Sequence, residues 1–191
     1  MEEKMKNFLK KIEYLENKYI EYLKSKDKEN LRREEEILKL KGSKSLSLPQ
    51  FQKIVKWKNP RDRSSAKNSE RDIQKITKSC FEELKNNEYN DDKVRSAIEK
   101  LKKLNGVGVA VASAILMAYD PCKFTPIDWR AWNMLYLLCY IDEPCPKSFT
   151  PDHYIKYLKV CRKLAKELDV YLRTLDRALW IASKNYRNLD C

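Results

Sequence analysis

Only three glycines occur in the whole chain, and two of them, Gly106 and Gly108, flank a single valine. A sequence so poor in glycine has few places to turn sharply. Its windows are otherwise filled with Leu, Lys, Glu and Ala, which favour helix. The expectation is an all-α protein whose one glycine-built tight turn lies at 105–108. Hydrophobic residues make up 42% of the 191, enough for a packed interior, and no strand-like alternation or internal repeat is visible.

Helical periodicity can be followed along most of the chain. Met5, Phe8, Ile12, Leu15, Tyr19 and Tyr22 form an apolar stripe on a charged helix, too short to assert a coiled coil. The pattern breaks at Ser25–Lys28, and a second charged helix is expected over Leu31–Lys41, stopped by Gly42. Residues 1–46 read as a charged helical extension, and residues 47–191 as the main domain. Ser47-Leu48-Pro49 is an N-cap signal before Phe51, Ile54, Val55 and Trp57. A helix follows over about Ser69–Leu84, then a polar turn at Asn86–Asp91. Asp91 or Asp92 is the expected cap of the next helix. Trp129–Ile141 is apolar almost all round and predicts a buried helix. Thr150-Pro151-Asp152 opens another, and the last runs from about Val170 to Lys184. In that last helix, Arg173, Asp176 and Arg177 are expected to pair along one face.

Charge narrows the class of partner. The chain carries a net +12, and residues 47–78, with 9 Lys/Arg against 3 Asp/Glu, hold half of it. Within that segment Lys58, Arg61 and Arg63 follow Trp57 around Asn59-Pro60. A basic loop beside an aromatic ring can hold phosphate and stack a base, or the ring can be core and the cations merely solvated. The six cysteines include no C-x-x-C pair and stand far from the one histidine, His153, so no metal and no cofactor is expected. No apolar run approaches a bilayer span. A soluble intracellular monomer with reduced thiols is expected, nuclear in a eukaryote and otherwise cytoplasmic.

The stretch Leu101–Leu135 carries the chemistry. Lys102, Lys103, Leu104, Asn105, Gly106, Val107 and Gly108 join two helices, with small residues Val109–Ala114 immediately after. Glycine at both positions lets the backbone take positive φ and keeps side chains away from a partner. The N–H groups that open the next helix are then available to a phosphate oxygen. Asp128 lies twenty residues beyond Gly108, directly before an apolar helix. That is an ordinary N-cap position, and it also aims a carboxylate out of a helix end. Arg130 beside it could meet phosphate or a carboxylate.

The run L-N-G-V-G-V-A-V-A-S-A-I-L, with Pro126-Ile127-Asp128-Trp129-Arg130 after it, resembles the helix-hairpin-helix DNA glycosylase superfamily of endonuclease III and alkyladenine glycosylase. The likeness is specific over 101–135, diffuse over about 47–187 and absent over 1–46. It implies an all-α, two-lobed helical bundle on double-stranded DNA. Its hairpin would grip phosphate, and Asp128 would be the carboxylate that assists hydrolysis of an N-glycosidic bond. Bifunctional members place a Schiff-base lysine two residues after the second glycine, where this chain has Ala110. The resemblance therefore implies a monofunctional, water-using glycosylase in base excision repair, without lyase chemistry from that position. The four-cysteine cluster loop of one branch is also missing. The alternative is a non-catalytic DNA-binding protein that keeps the fold and the grip. A protein-interaction module built on the N-terminal stripe is a third reading.

Overall fold

The computed structural model describes residue 8 and residues 11–85 and 90–185. Met5 of the N-terminal stripe, residues 86–89 of the expected polar turn and Cys191 lie outside the described residues. Among the described residues the protein is all-α, with no strand. Helices α1 (Ile12–Lys26) and α2 (Lys28–Leu38) come first, then α3 (Leu48–Lys58) and α4 (Glu70–Leu84). They are followed by α5 (Asp91–Leu101), α6 (Val109–Tyr119), α7 (Trp129–Leu137), α8 (Pro151–Glu167) and α9 (Leu172–Asn185). No described helix is long and apolar enough to cross a membrane.

The caps follow short-range chemistry. Ser69 accepts from the Asp72 N–H to open α4, Thr150 from His153 to open α8, and Asp128 from Arg130 to open α7. Asp27, which breaks the N-terminal pattern, accepts from the Asn30 N–H and so caps α2. The second helix thus begins earlier than the apolar pattern alone places it, and it ends at Leu38, before Gly42 takes φ 75°. The cap of α5 is Asn90 rather than either aspartate; both aspartates fall in the first turn, where the helix dipole favours them. Helix α7 stops at Leu137, short of Ile141. Cys139 turns into the left-handed region at φ 60°, and Trp129, Tyr136 and Leu137 are partly exposed instead of buried.

Helix α6 is central. Val109 and Val111–Ala118 are all buried, which is why the sequence there shows no polar face, and α2, α3, α5 and α8 pack around it. Helix α9 gathers α1, α7 and α8. One apolar cluster runs from Phe8 to Ala182, and Tyr19, Leu23 and Ile181 add a smaller one where α1 crosses α9. The N-terminal stripe therefore buries against the last helix of its own chain. Among residues of the last helix, Arg173 and Arg177 do not simply pair along one face. Arg173 meets Asp176, but both arginines also converge on Glu34 of α2, which is fully buried.

Candidate functional site

The hairpin between α5 and α6 is clipped to the basic loop that follows α3. Asn68 accepts from the Asn105 N–H at 2.8 Å and donates its amide to the Asn105 carbonyl at 2.9 Å. Gly106 sits at φ 81°, and a Cβ there would fall 2.7 Å from Asp62 Oδ1. The need for glycine at 106 is thus twofold, left-handed backbone and a carboxylate in the way. Burial pushes the Asp62 carboxyl up, but hydrogen bonds from Ser64 and Ser65 outweigh it and bring it to about 2.

Gly108 does not use the positive φ that glycine at both positions allows. Its φ of −91° and ψ of −178° are extended backbone, and it is the N-cap of α6. Among the described residues no side chain caps that helix, and a Cβ on Gly108 would meet nothing within 4 Å. The open ground is therefore at Gly108. Val107 is not part of it: its side chain is buried and its N–H goes to the Leu104 carbonyl. Lys102, Lys103, Arg61 and Arg63 are exposed, with Lys102 3.0 Å from Glu99.

The first turn of α6 is tied to the segment carrying Asp128. Ser113 Oγ donates to the Ala110 carbonyl at 2.8 Å and accepts from the Ile127 N–H at 2.9 Å. Asp128 Oδ1 accepts from the Arg130 N–H at 2.9 Å, so the cap reading holds. Its other oxygen, Oδ2, is 3.1 Å from Lys58 Nζ. Lys58 is the last residue of α3 rather than a cation of the loop, and its side chain turns inward at 11% exposure against 22% for Asp128. Burial would raise the Asp128 carboxyl. Lys58, the Arg130 N–H and the Arg130 charge together outweigh that and hold it below the usual carboxylate range.

Asp128 and Lys58 open into a cleft of about 220 Å³, walled by Trp57, Tyr19, Trp180 and Arg173. Pockets for drug-sized ligands span roughly 300–1,000 Å³, so this one suits a single small ring system. Trp57 is buried, and its indole N–H has no partner among the described residues, a donor that costs about 1–3 kcal/mol to leave unmet. Of the other aromatic residues near Asp128 in sequence, Trp132 is core, with Nε1 donating to the Glu143 carbonyl at 3.2 Å. Trp129 and Tyr136 face solvent. Arg130 lies over the Trp129 ring at 4.2 Å and near Trp180 at 5.4 Å, so it braces the wall of the cleft.

Sequence reasoning missed Tyr19, Arg173, Asp176 and Trp180 as cleft residues. Tyr19 carried the signal of an apolar stripe, and Trp180 lies on a helix whose amphipathic pattern explained itself. Tyr19, Arg173 and Asp176 also belong to an ion cluster around the fully buried Glu34. Glu34 accepts from Tyr19 at 2.8 Å, from Arg173 at 2.6 and 2.9 Å, and from Arg177 at 2.6 and 2.9 Å. Burial pushes Glu34 up, but the two guanidinium groups more than reverse it and hold the carboxyl at about 2.

The hairpin is thus hydrogen-bonded to the loop after α3, and the segment carrying Asp128 to the first turn of α6, while no residue of 102–108 lines the cleft. Comparison of this chain with protein-family models, with curated proteins and with solved structures returns no match.

Proposed function

We propose that the protein is a DNA-binding base-excision glycosylase that hydrolyses an N-glycosidic bond of double-stranded DNA, with Asp128 as the working carboxylate. The observation that carries this reading is the opening of an ionised Asp128 into an aromatic-walled cleft, one hydrogen-bonded relay away from the first turn of α6. The two-lobed glycosylase-like arrangement, the hairpin grip and the repair role belong to the same proposal.

Each part has a physical task. Exposed Lys103, Arg61 and Arg63, with the uncapped N–H groups after Gly108, supply the phosphate contacts, whose strength falls with salt. A target base leaves the stack at a cost of a few kcal/mol and enters the cleft, where Trp57, Tyr19 and Trp180 offer aromatic faces. As the bond to the base lengthens, positive charge grows on the deoxyribose. A carboxylate fixed at a helix end stabilises that charge without reorganising, and it can orient the attacking water. Its low proton affinity keeps it ionised for this role.

A second reading rests on the same residue. The two oxygens of Asp128 are satisfied by a helix cap and by Lys58, an arrangement that also suits a non-catalytic DNA-binding protein. Duplexes bearing single uracil, alkylated or oxidised bases, treated with alkali after incubation, separate the two. Glycosylase action gives alkali-labile breaks that fall by at least about 100-fold in Asp128→Asn while DNA binding persists. Asparagine keeps the N-cap, so the variant is expected to fold. Tight binding with no breaks across the panel sinks the enzyme reading and leaves the second.

A further inference from the structure

The basic segment 47–78 places cations on two sides of α3. Lys58 turns inward onto Asp128, whereas Lys53 and Lys56 lie on another face of the helix. Together with Arg33 of α2 and Arg63 of the following loop they line a second, open groove of about 400 Å³. The one acidic residue in that lining, Asp62, is buried, and its oxygens are taken by the Ser64 hydroxyl at 2.7 Å and the Ser65 N–H at 2.9 Å. Lys56 donates to the Asp62 carbonyl, and Arg63 has no ion pair among the described residues. Lys53 meets Glu36, and Arg33 meets Glu29 at 3.1 Å, each pair partly exposed at the rim. Exposed pairs of this kind are weak, so both cations can exchange a carboxylate for a phosphate at little cost.

We propose that this groove holds a stretch of the phosphodiester backbone of duplex DNA, with Arg33, Lys53 and Lys56 as contacts added to those at the hairpin. The proposal rests on the DNA-binding part of the function proposed above. Two observations select this occupant. The groove adjoins the hairpin through a shared segment, since Asp62 and Ser65 line it and the same two residues stand within 3.0 Å of where a Cβ on Gly106 would lie. The cations are also spread over three elements instead of converging on one point. Lys53 and Lys56 are three residues apart, about 4.5 Å along the helix axis, close to the roughly 3.4 Å axial spacing of phosphates on one strand. Arg33 comes from residues 1–46, to which the glycosylase likeness does not extend. The N-terminal helices thereby widen the DNA footprint as well as walling the cleft.

The test uses the full chain and an undamaged duplex, with affinity measured by fluorescence anisotropy across a salt series. Each phosphate contact adds about 0.9 to the slope of log affinity against log salt. Lys53→Gln with Lys56→Gln should therefore flatten the slope by about 1.8 and weaken binding at low salt by roughly tenfold or more. Arg33→Gln, on a different helix, should flatten it by about 0.9. Lys163→Gln with Lys166→Gln removes the same charge from the exposed face of α8 and should leave the slope unchanged. An unchanged slope in either folded groove variant overturns the proposal, as does an equal flattening in the α8 control, which would make net charge the whole effect. Base release from damaged duplexes, scored with alkali on the wild type, keeps the two ideas apart. Release with an unchanged slope in the groove variants overturns the groove alone. Flattened slopes without release support the groove and overturn the glycosylase reading, and a wild type that binds no duplex overturns both.

Discussion

Two of the carboxylates that hold cations in this protein, Glu34 and Asp128, sit in settings that differ in kind. Glu34 has no exposed surface and is bound by two arginines and a tyrosine drawn from α1 and α9. Asp128 keeps 22% of its side chain exposed, is bound by one lysine and one backbone N–H, and faces a cleft. Arginine offers a rigid fork that stays charged, which suits a tie between helices. Lysine offers a single mobile charge that can move or lose a proton, which suits a site where something must happen. Asp128 therefore differs from Glu34 in its access to solvent and in the kind of cation beside it, not in being ion-paired.

The largest expected effect breaks the sealed member of the pair. Glu34→Gln leaves Arg173 and Arg177 buried with less compensation, and loss of one partner from a buried pair typically costs about 3–5 kcal/mol. Asp176 and Glu16 still contact these arginines, so a cost near the lower end, about 3 kcal/mol, is expected in urea denaturation. A loss below about 1 kcal/mol would make the cluster no more than a surface-like pair and erase the contrast.

Acid should expose the same difference more gently. The folded Glu34 carboxyl, at about 2, lies below its ordinary value of 4.5. Its contribution is therefore fully present above pH 4.5 and is lost as pH falls from there towards 2. Thermal melts from pH 6 to 2.5 should show an acid limb in the wild type that is shallower in Glu34→Gln. Parallel curves for the two proteins would remove Glu34 as its source.

The hairpin repeats the comparison on a smaller scale, with one closed glycine and one open. Gly106→Ala must hold a Cβ at φ 81° against Asp62 Oδ1, and a loss of about 2 kcal/mol is expected. Gly108→Ala has ordinary backbone and free space, so stability should change by less than about 1 kcal/mol. DNA affinity at low salt should nevertheless fall in Gly108→Ala, since a methyl then stands between the helix end and a phosphate. Undiminished, salt-sensitive affinity in that folded variant would remove the grip from this turn.

How far the sequence reaches can be seen residue by residue. Gly106, Asn105 and the small residues after them spell out a tight turn and a buried helix, because a backbone conformation and a close approach are demanded locally. The caps at Asp128 and Thr150 are legible for the same reason, since each binds an N–H two or three residues away. The cap at Asn90 lies one or two residues before the expected Asp91 or Asp92, because the two aspartates beside it satisfy the same rule. Lys58 was read as a loop cation, since nothing within ten residues of it reveals that its partner is Asp128, seventy positions on.

The sequence by itself determined the all-helical character, the position of the glycine turn and a carboxylate fixed at a helix start, because periodicity, positive φ and capping act over a few residues. Tertiary structure alone decided which of the two glycines is locked and which is open. It also brought Tyr19 from the first helix and Trp180 from the last to one cleft, and turned Lys58 onto Asp128. Those outcomes depend on how helices far apart in the chain pack to bury their apolar faces, and an apolar stripe states that a face is buried without naming what lies against it.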